Sequence, residues 1–124
     1  MIKYIELKSG YNDNGPAWIA RVKTSKTGQT IYFNNMALGK AVGGVAGGNY
    51  MSNGDVYWVS GVKKNETNRH WAGSGYILIE ESAFEEFKSI TGLDNLKKSQ
   101  YRTCPDFPET SGAQFVHLKN EKLY

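Results

Sequence analysis

Residues 16–34 hold two runs of alternating apolar and polar residues around the turn-forming series Ser25-Lys26-Thr27-Gly28. Successive side chains of an extended chain point to opposite faces, so a period of two marks a strand, and two such runs around a short turn predict a β-hairpin. Trp18, Ala20 and Val22 fall on one face of the first run, with Ile19, Arg21 and Lys23 on the other. One dry face and one mostly wet face are expected.

The same alternation recurs on either side. Residues 2–8 predict a first strand, with Ile5 and Leu7 opposed to Tyr4, Glu6 and Lys8. The loop Tyr11-Asn12-Asp13-Asn14-Gly15-Pro16 is built from residues that tolerate a positive φ or fix a negative one. Residues 36–40 read as a short strand or a single turn. The cluster Gly39, Gly43, Gly44, Gly47, Gly48 and Gly54 follows, where the backbone entropy lost on folding is largest, and a mobile or ligand-ordered loop is predicted. Residues 55–64 set Trp58, Ser60 and Val62 against Tyr57, Val59 and Lys63. With 69–80, across the polar turn Asn65-Glu66-Thr67-Asn68, they predict a second hairpin, in which Gly73 and Gly75 mark a bulge or bend.

One helix is expected. Ser82 and Glu85 stand at the spacing of a capping box, Phe84, Phe87 and Ile90 recur at helical spacing, and Gly92 suits the residue that ends a helix. The chain therefore predicts a mainly β fold: a strongly bent antiparallel sheet of five or six strands, or a small SH3-like barrel, packed by one α-helix over about 82–91. Residues 1–96 form the β-rich domain. Residues 97–124, interrupted by Pro105 and Pro108, form an irregular tail in which 114–119 can add an edge strand.

At 124 residues the chain suits one domain with one core. Cys104 is the only cysteine, which rules out an intrachain disulfide and leaves a reducing compartment as the default. Lys3, Glu6 and Lys8 interrupt any apolar leader, and no later run is long enough to span a bilayer. A cytoplasmic protein without a membrane partner is expected.

No constellation in the sequence predicts catalysis, a cofactor or a metal. The run from Gly43 to Gly48 lacks the Lys-Ser or Lys-Thr of a phosphate loop, and His70, His117 and Cys104 match no zinc spacing. Cys104 with His117 as base lacks a third, orienting group, so an inert thiol is expected. Glu80, Glu81 and Glu86 read as a solvated face, with Glu85 in the helix cap. The predicted second hairpin gathers Lys63, Lys64, Arg69, His70 and Trp71 at its tip, beside Arg21, Lys23, Lys26 and Tyr32 of the first if the strands are neighbours. Interleaved cations and rings on a β surface can stack bases and neutralise phosphates, or can anchor a protein partner. The plainer alternative is that Trp18, Trp58 and Trp71 belong to the core and the lysines to ordinary solvated surface. A net charge of only +3 and the acidic stretch 80–86 favour protein over nucleic acid.

Two stretches, Gly10 to Lys23 with Ser25 to Asn34, and Tyr57 to Asn65 with Arg69 to Gly75, resemble a family of small bacterial proteins without an assigned mechanism. Members of that family often bear the label 1-deoxy-D-xylulose-5-phosphate synthase. Thiamine-diphosphate chemistry needs a chain that encloses a large cofactor and its metal, more than one small β domain supplies. The leading expectation is accordingly a non-enzymatic binding module for a protein partner. A single-stranded nucleic-acid-binding small β-barrel is the alternative, and a small enzyme or accessory protein linked to the family label is the second.

Overall fold

The computed structural model describes residues 1–11, 14–40, 48–63, 75–92, 100–113 and 115. Among them nine strands form one sheet: β1 (Ile2–Leu7), β2 (Ala17–Arg21), β3 (Lys23–Thr24), β4 (Thr30–Phe33), β5 (Met36–Lys40), β6 (Asn49–Ser52), β7 (Asp55–Ser60), β8 (Ile77–Glu80) and β9 (Tyr101–Cys104). Their order is β3-β4-β5-β6-β7-β1-β2-β8-β9, and the sheet curls into a half-barrel. A 3-10 turn, Glu81–Ala83, leads into the single helix α1 (Phe84–Thr91). The mainly β class with one packing helix holds, in more and shorter strands than the sequence predicts.

The run 16–34 is not one hairpin. Its tip is, since Lys23 pairs Tyr32, Thr24 pairs Ile31, and the Ser25 N–H donates to the Thr30 carbonyl at 2.9 Å. Before Val22, however, the same run lies between β1 and β8, with Ile5 opposite Trp18 and Ile79 beside Ile19. Amides of consecutive residues in an extended chain point to opposite edges. The Val22 N–H turns to the Met1 carbonyl at 3.0 Å, and the Arg21 N–H turns the other way, to Glu80 Oε1 at 2.9 Å. Lys23 shares the Arg21 edge, so this one edge meets β8 first and β4 afterwards. The segment 17–24 thus serves two places in the strand order, and that sharing is what rolls the sheet up.

Both faces of β1 and β2 are buried, which overturns the expected wet face. Inside the curl lie Ile5, Ala20, Val22, Ile31, Phe33, Leu38, Tyr57 and Val59. On the outside Ile2, Tyr4, Ile19, Ile79 and Tyr101 are covered by Ala83 and Phe87, with Phe84 and Ile90 at the margin. Tyr4 and Glu6, on the second face of β1, are buried as well: the Tyr4 hydroxyl donates to Glu6 Oε1 at 2.5 Å, and Lys8 Nζ meets Oε2 at 3.0 Å. A carboxylate is buried in this way only when its charge is partnered.

The helix begins at Phe84 rather than Ser82, and no side chain caps it. The capping box does not form. The Ser82 N–H instead donates to Asp106 Oδ1 at 2.8 Å, a partner 24 residues distant that local spacing does not reveal. Gly92 ends the helix in the left-handed region, φ 74°, as its sequence position predicts.

The second predicted hairpin is also corrected: β7 lies between β6 and β1, while β8 lies between β2 and β9. The partner of β7 is reached through Asn53-Gly54, with φ of 52° and 85°, the two-residue turn that positive φ at both positions selects. Asn34 and Asn35, φ 48° and 62°, make the same connection between β4 and β5, which settles 36–40 as a strand. Of the glycine cluster read as a mobile loop, Gly39 lies within that strand, Gly48 accepts from the Val59 N–H at 2.7 Å beside β6 and Gly54 sits in the β6–β7 turn, while 41–47 fall outside the described residues. The sheet is mixed rather than antiparallel, because β8 runs parallel to β2 and β9 parallel to β8. Parallel neighbours need a crossover of a dozen residues or so, and α1 supplies it between β8 and β9. The edge strand is thus Tyr101–Cys104; of the predicted 114–119, only Phe115 is described.

Candidate functional site

Where β8 ends and β4 takes over the odd-numbered edge of 17–24, the sheet forks. A groove of about 470 Å³ lies at the fork, and Arg21, Lys23 and Tyr32, three of the residues singled out by sequence, line it. Strand pairing explains their convergence. Lys23 and Tyr32 are cross-strand partners, and Arg21 stands two residues before Lys23 on the shared edge. Lys63 follows β7, whose register with β1, Tyr4 opposite Ser60, carries residues 61–63 toward Ile2, the residue that pairs Arg21. Lys64, Arg69, His70 and Trp71 lie outside the described residues, as does His117. The hairpin tip that was to gather them with Lys63 does not exist as a β7–β8 pair.

The other wall of the groove is one that sequence reasoning left as irregular tail. Asp106, Phe107, Pro108, Glu109 and Thr110 pass across the mouth of the half-barrel. The ring of Phe107 meets Phe33 edge-on, with centroids 5.0 Å apart, and packs on the inner core. Its N–H donates to Glu80 Oε2 at 2.8 Å. The Asn35 N–H donates to Thr110 Oγ1 at 2.8 Å, and Thr110 Oγ1–H to the Pro108 carbonyl at 3.1 Å. Beyond them Phe115 stacks on Tyr32, centroids 5.9 Å apart and planes 17° from parallel. Gly112 admits that approach, since a Cβ there would lie 3.1 Å from the Tyr32 hydroxyl.

Glu80 holds the fork together. It is 4% exposed, and its two oxygens accept from the backbone of β2 and of the strap formed by residues 106–110, so it is not part of a solvated acidic face. Asp106 is engaged by the Ser82 amide, and Glu109 lies 3.3 Å from Lys23 Nζ with its side chain 83% exposed. Among the described residues no ion pair engages the Arg21 guanidinium.

The remaining chemistry is sparse. Cys104 is half-buried, and its thiol is pushed above the usual value by burial first and then by Glu80, Asp106 and Glu81, which disfavours the nucleophilic thiolate. Among the described residues no cluster of three His, Cys, Asp or Glu side chains is placed to hold a metal ion, and no helix is long and apolar enough to cross a membrane. A cation–ring pair, Arg102 over Tyr76 at 3.9 Å, sits at the opposite end of β8 from Glu80 and does not enter the groove. Comparison with known proteins finds no family, no curated protein and no solved structure that matches the chain.

The sequence missed Glu80, Asp106, Phe107 and Thr110. The available signal was Pro105-Asp106-Phe107-Pro108: an aromatic residue held between prolines cannot join a ladder through those prolines and must find its burial elsewhere.

Proposed function

We propose that this protein is a non-enzymatic binding module that recognises a segment of a protein partner in the groove at the fork of the sheet. The observation that carries the reading is the convergence of Arg21, Lys23 and Tyr32 on one concave, partly apolar site of about 470 Å³. A half-buried ring beside two cations is the kind of anchor that dominates protein interfaces. The carboxylates of Glu80, Asp106 and Glu109 on the opposite wall weigh against a polyphosphate ligand, which they would repel, and suit a peptide carrying both polar and apolar groups.

The test is affinity capture from an extract of the source organism with the native chain and with an Arg21→Glu, Lys23→Glu variant, alongside a gel shift with labelled single-stranded DNA and RNA in low salt. The reading predicts a captured protein that the variant loses, and no shift of the oligonucleotides. Capture indifferent to the charge reversal, or a salt-sensitive shift abolished by it, contradicts the reading.

A further inference from the structure

One wall of the groove is itself a segment of this chain laid over the open end of the sheet, and the chemistry of that segment describes its replacement. The inference rests on the groove reading above and names the partner's chemistry. Phe107 seats a ring against Phe33, and two residues later Glu109 reaches Lys23 at 3.3 Å. Pro108 between them has no N–H to lose and keeps this stretch out of a helix.

Part of this strap is anchored and part is not. Glu80 and Thr110 tie its ends with hydrogen bonds of 2.8 Å. Its recognition contacts are weaker: Phe107 is half-buried, and Glu109 is so exposed that its attraction for Lys23 is largely screened by water. Arg21 lines the same groove, and no carboxylate of the strap engages it. A competitor that supplied the ring, the acid for Lys23, a backbone N–H for Glu80, an acceptor for the Asn35 N–H and a second acid for Arg21 would replace the strap's contacts and add one group more.

We propose that residues 106–110 are an internal pseudo-ligand, and that the partner presents an extended acidic segment with an aromatic residue followed two positions later by a carboxylate, which displaces them. Displacing the strap removes Asp106 and Glu109 from the groove and leaves Arg21 and Lys23 facing it, so charge complementarity then selects an acidic occupant over a basic or purely apolar one. The tethered strap competes at an effective concentration of order millimolar, so the native chain binds such a segment more weakly than a chain whose strap has been loosened.

The test uses a dye-labelled peptide with the sequence of residues 105–111, titrated by fluorescence anisotropy into the full chain. Three proteins are compared: native, Glu109→Gln and Phe107→Ala. Glu109→Gln changes an exposed position and keeps the fold; Phe107→Ala is checked by its melting curve. Affinity is expected to rise about tenfold or more in Phe107→Ala, and about two- to threefold in Glu109→Gln, whose ion pair is exposed and screened. It is expected to fall again when Arg21→Ala and Lys23→Ala are added, and to vanish for a peptide whose Asp and Glu are replaced by Asn and Gln. Equal binding by all three proteins, or undiminished binding of the neutral peptide, overturns the pseudo-ligand. If capture of the partner still depends on Arg21 and Lys23 while the peptide fails, this inference falls and the groove reading stands. If capture ignores the charge reversal, the groove reading falls first.

Discussion

Replacing Glu80 by alanine tests the fork at its anchor. The carboxylate is 4% exposed and accepts two backbone hydrogen bonds, from Arg21 at 2.9 Å and from Phe107 at 2.8 Å. Bonds to a charged acceptor contribute roughly 1.5–3 kcal/mol each, and a donor left without a partner in a site water cannot reach costs about 1–3 kcal/mol. Partial access of water through the groove lowers the second figure, so the expected loss is about 3–4 kcal/mol for both donors together. That is a large share of the roughly 5–15 kcal/mol available to a domain. Glu80→Gln keeps one acceptor oxygen and turns an amide N–H₂ toward the other donor, so its loss should fall between native and Glu80→Ala. Urea unfolding followed by circular dichroism measures both. A second readout separates this cause from general weakening: one of the Arg21 and Phe107 amides, the one left facing the N–H₂, should lose hydrogen-exchange protection in Glu80→Gln before the amides of β5 and β6 do. A loss below about 1 kcal/mol for Glu80→Ala, or an unchanged exchange pattern, would mean that the carboxylate is not the anchor.

Other perturbations test the rest of the fold. Phe87→Ala removes a fully buried ring that packs against Tyr101 at 5.3 Å, and should cost about 3–5 kcal/mol by denaturant titration. Gly15→Ala places a Cβ 1.9 Å from the Leu7 carbonyl oxygen, next to the Leu7 N–H to Pro16 carbonyl bond that closes the first turn. It should lower stability by about 1–3 kcal/mol, whereas alanine at Gly61, where a Cβ meets nothing, should leave the melting temperature nearly unchanged. In alkali, burial raises the proton affinity of the Cys104 thiol and of the Tyr57 and Tyr50 hydroxyls in the folded chain, so the unfolded chain loses those protons first. The contribution of these three groups to stability should therefore be fully present at neutral pH and be lost as pH rises past the ordinary thiol and phenol range. The same shift predicts slower alkylation of Cys104 by iodoacetamide at pH 8 than of a free cysteine.

The strands were legible in the sequence because alternation encodes faces. Ile5, Tyr57 and Val59 fall on the inner face where their periodicity places them, and Phe87 and Gly92 mark the helix and its end. Alternation does not encode edges. Which neighbour a strand takes is decided by backbone amides that every residue carries alike, so nothing in the Trp18 run announces that its odd-numbered edge meets β8 and then β4. Burial of the second face was hidden for a related reason. Ile19 is fully buried on the face that Arg21 and Lys23 made look wet, because the two cations lie at and beyond the point where α1 and β8 stop covering the sheet. Of the site, Arg21, Lys23 and Tyr32 were within reach as cations and a ring of the run 16–34 that reads as one hairpin, whereas Glu80 owed its role to partners 59 and 27 residues away.

The sharing of 17–24 between two neighbours is measured most directly by interstrand nuclear Overhauser contacts in the folded chain. The structure predicts contacts between Ile19 and Ile79 together with contacts between Lys23 and Tyr32. An uninterrupted hairpin, continued in the register of Lys23 and Tyr32, would instead put Ala20 opposite Asn35 and Trp18 opposite Ala37, and finding those contacts would remove the fork and the groove built on it.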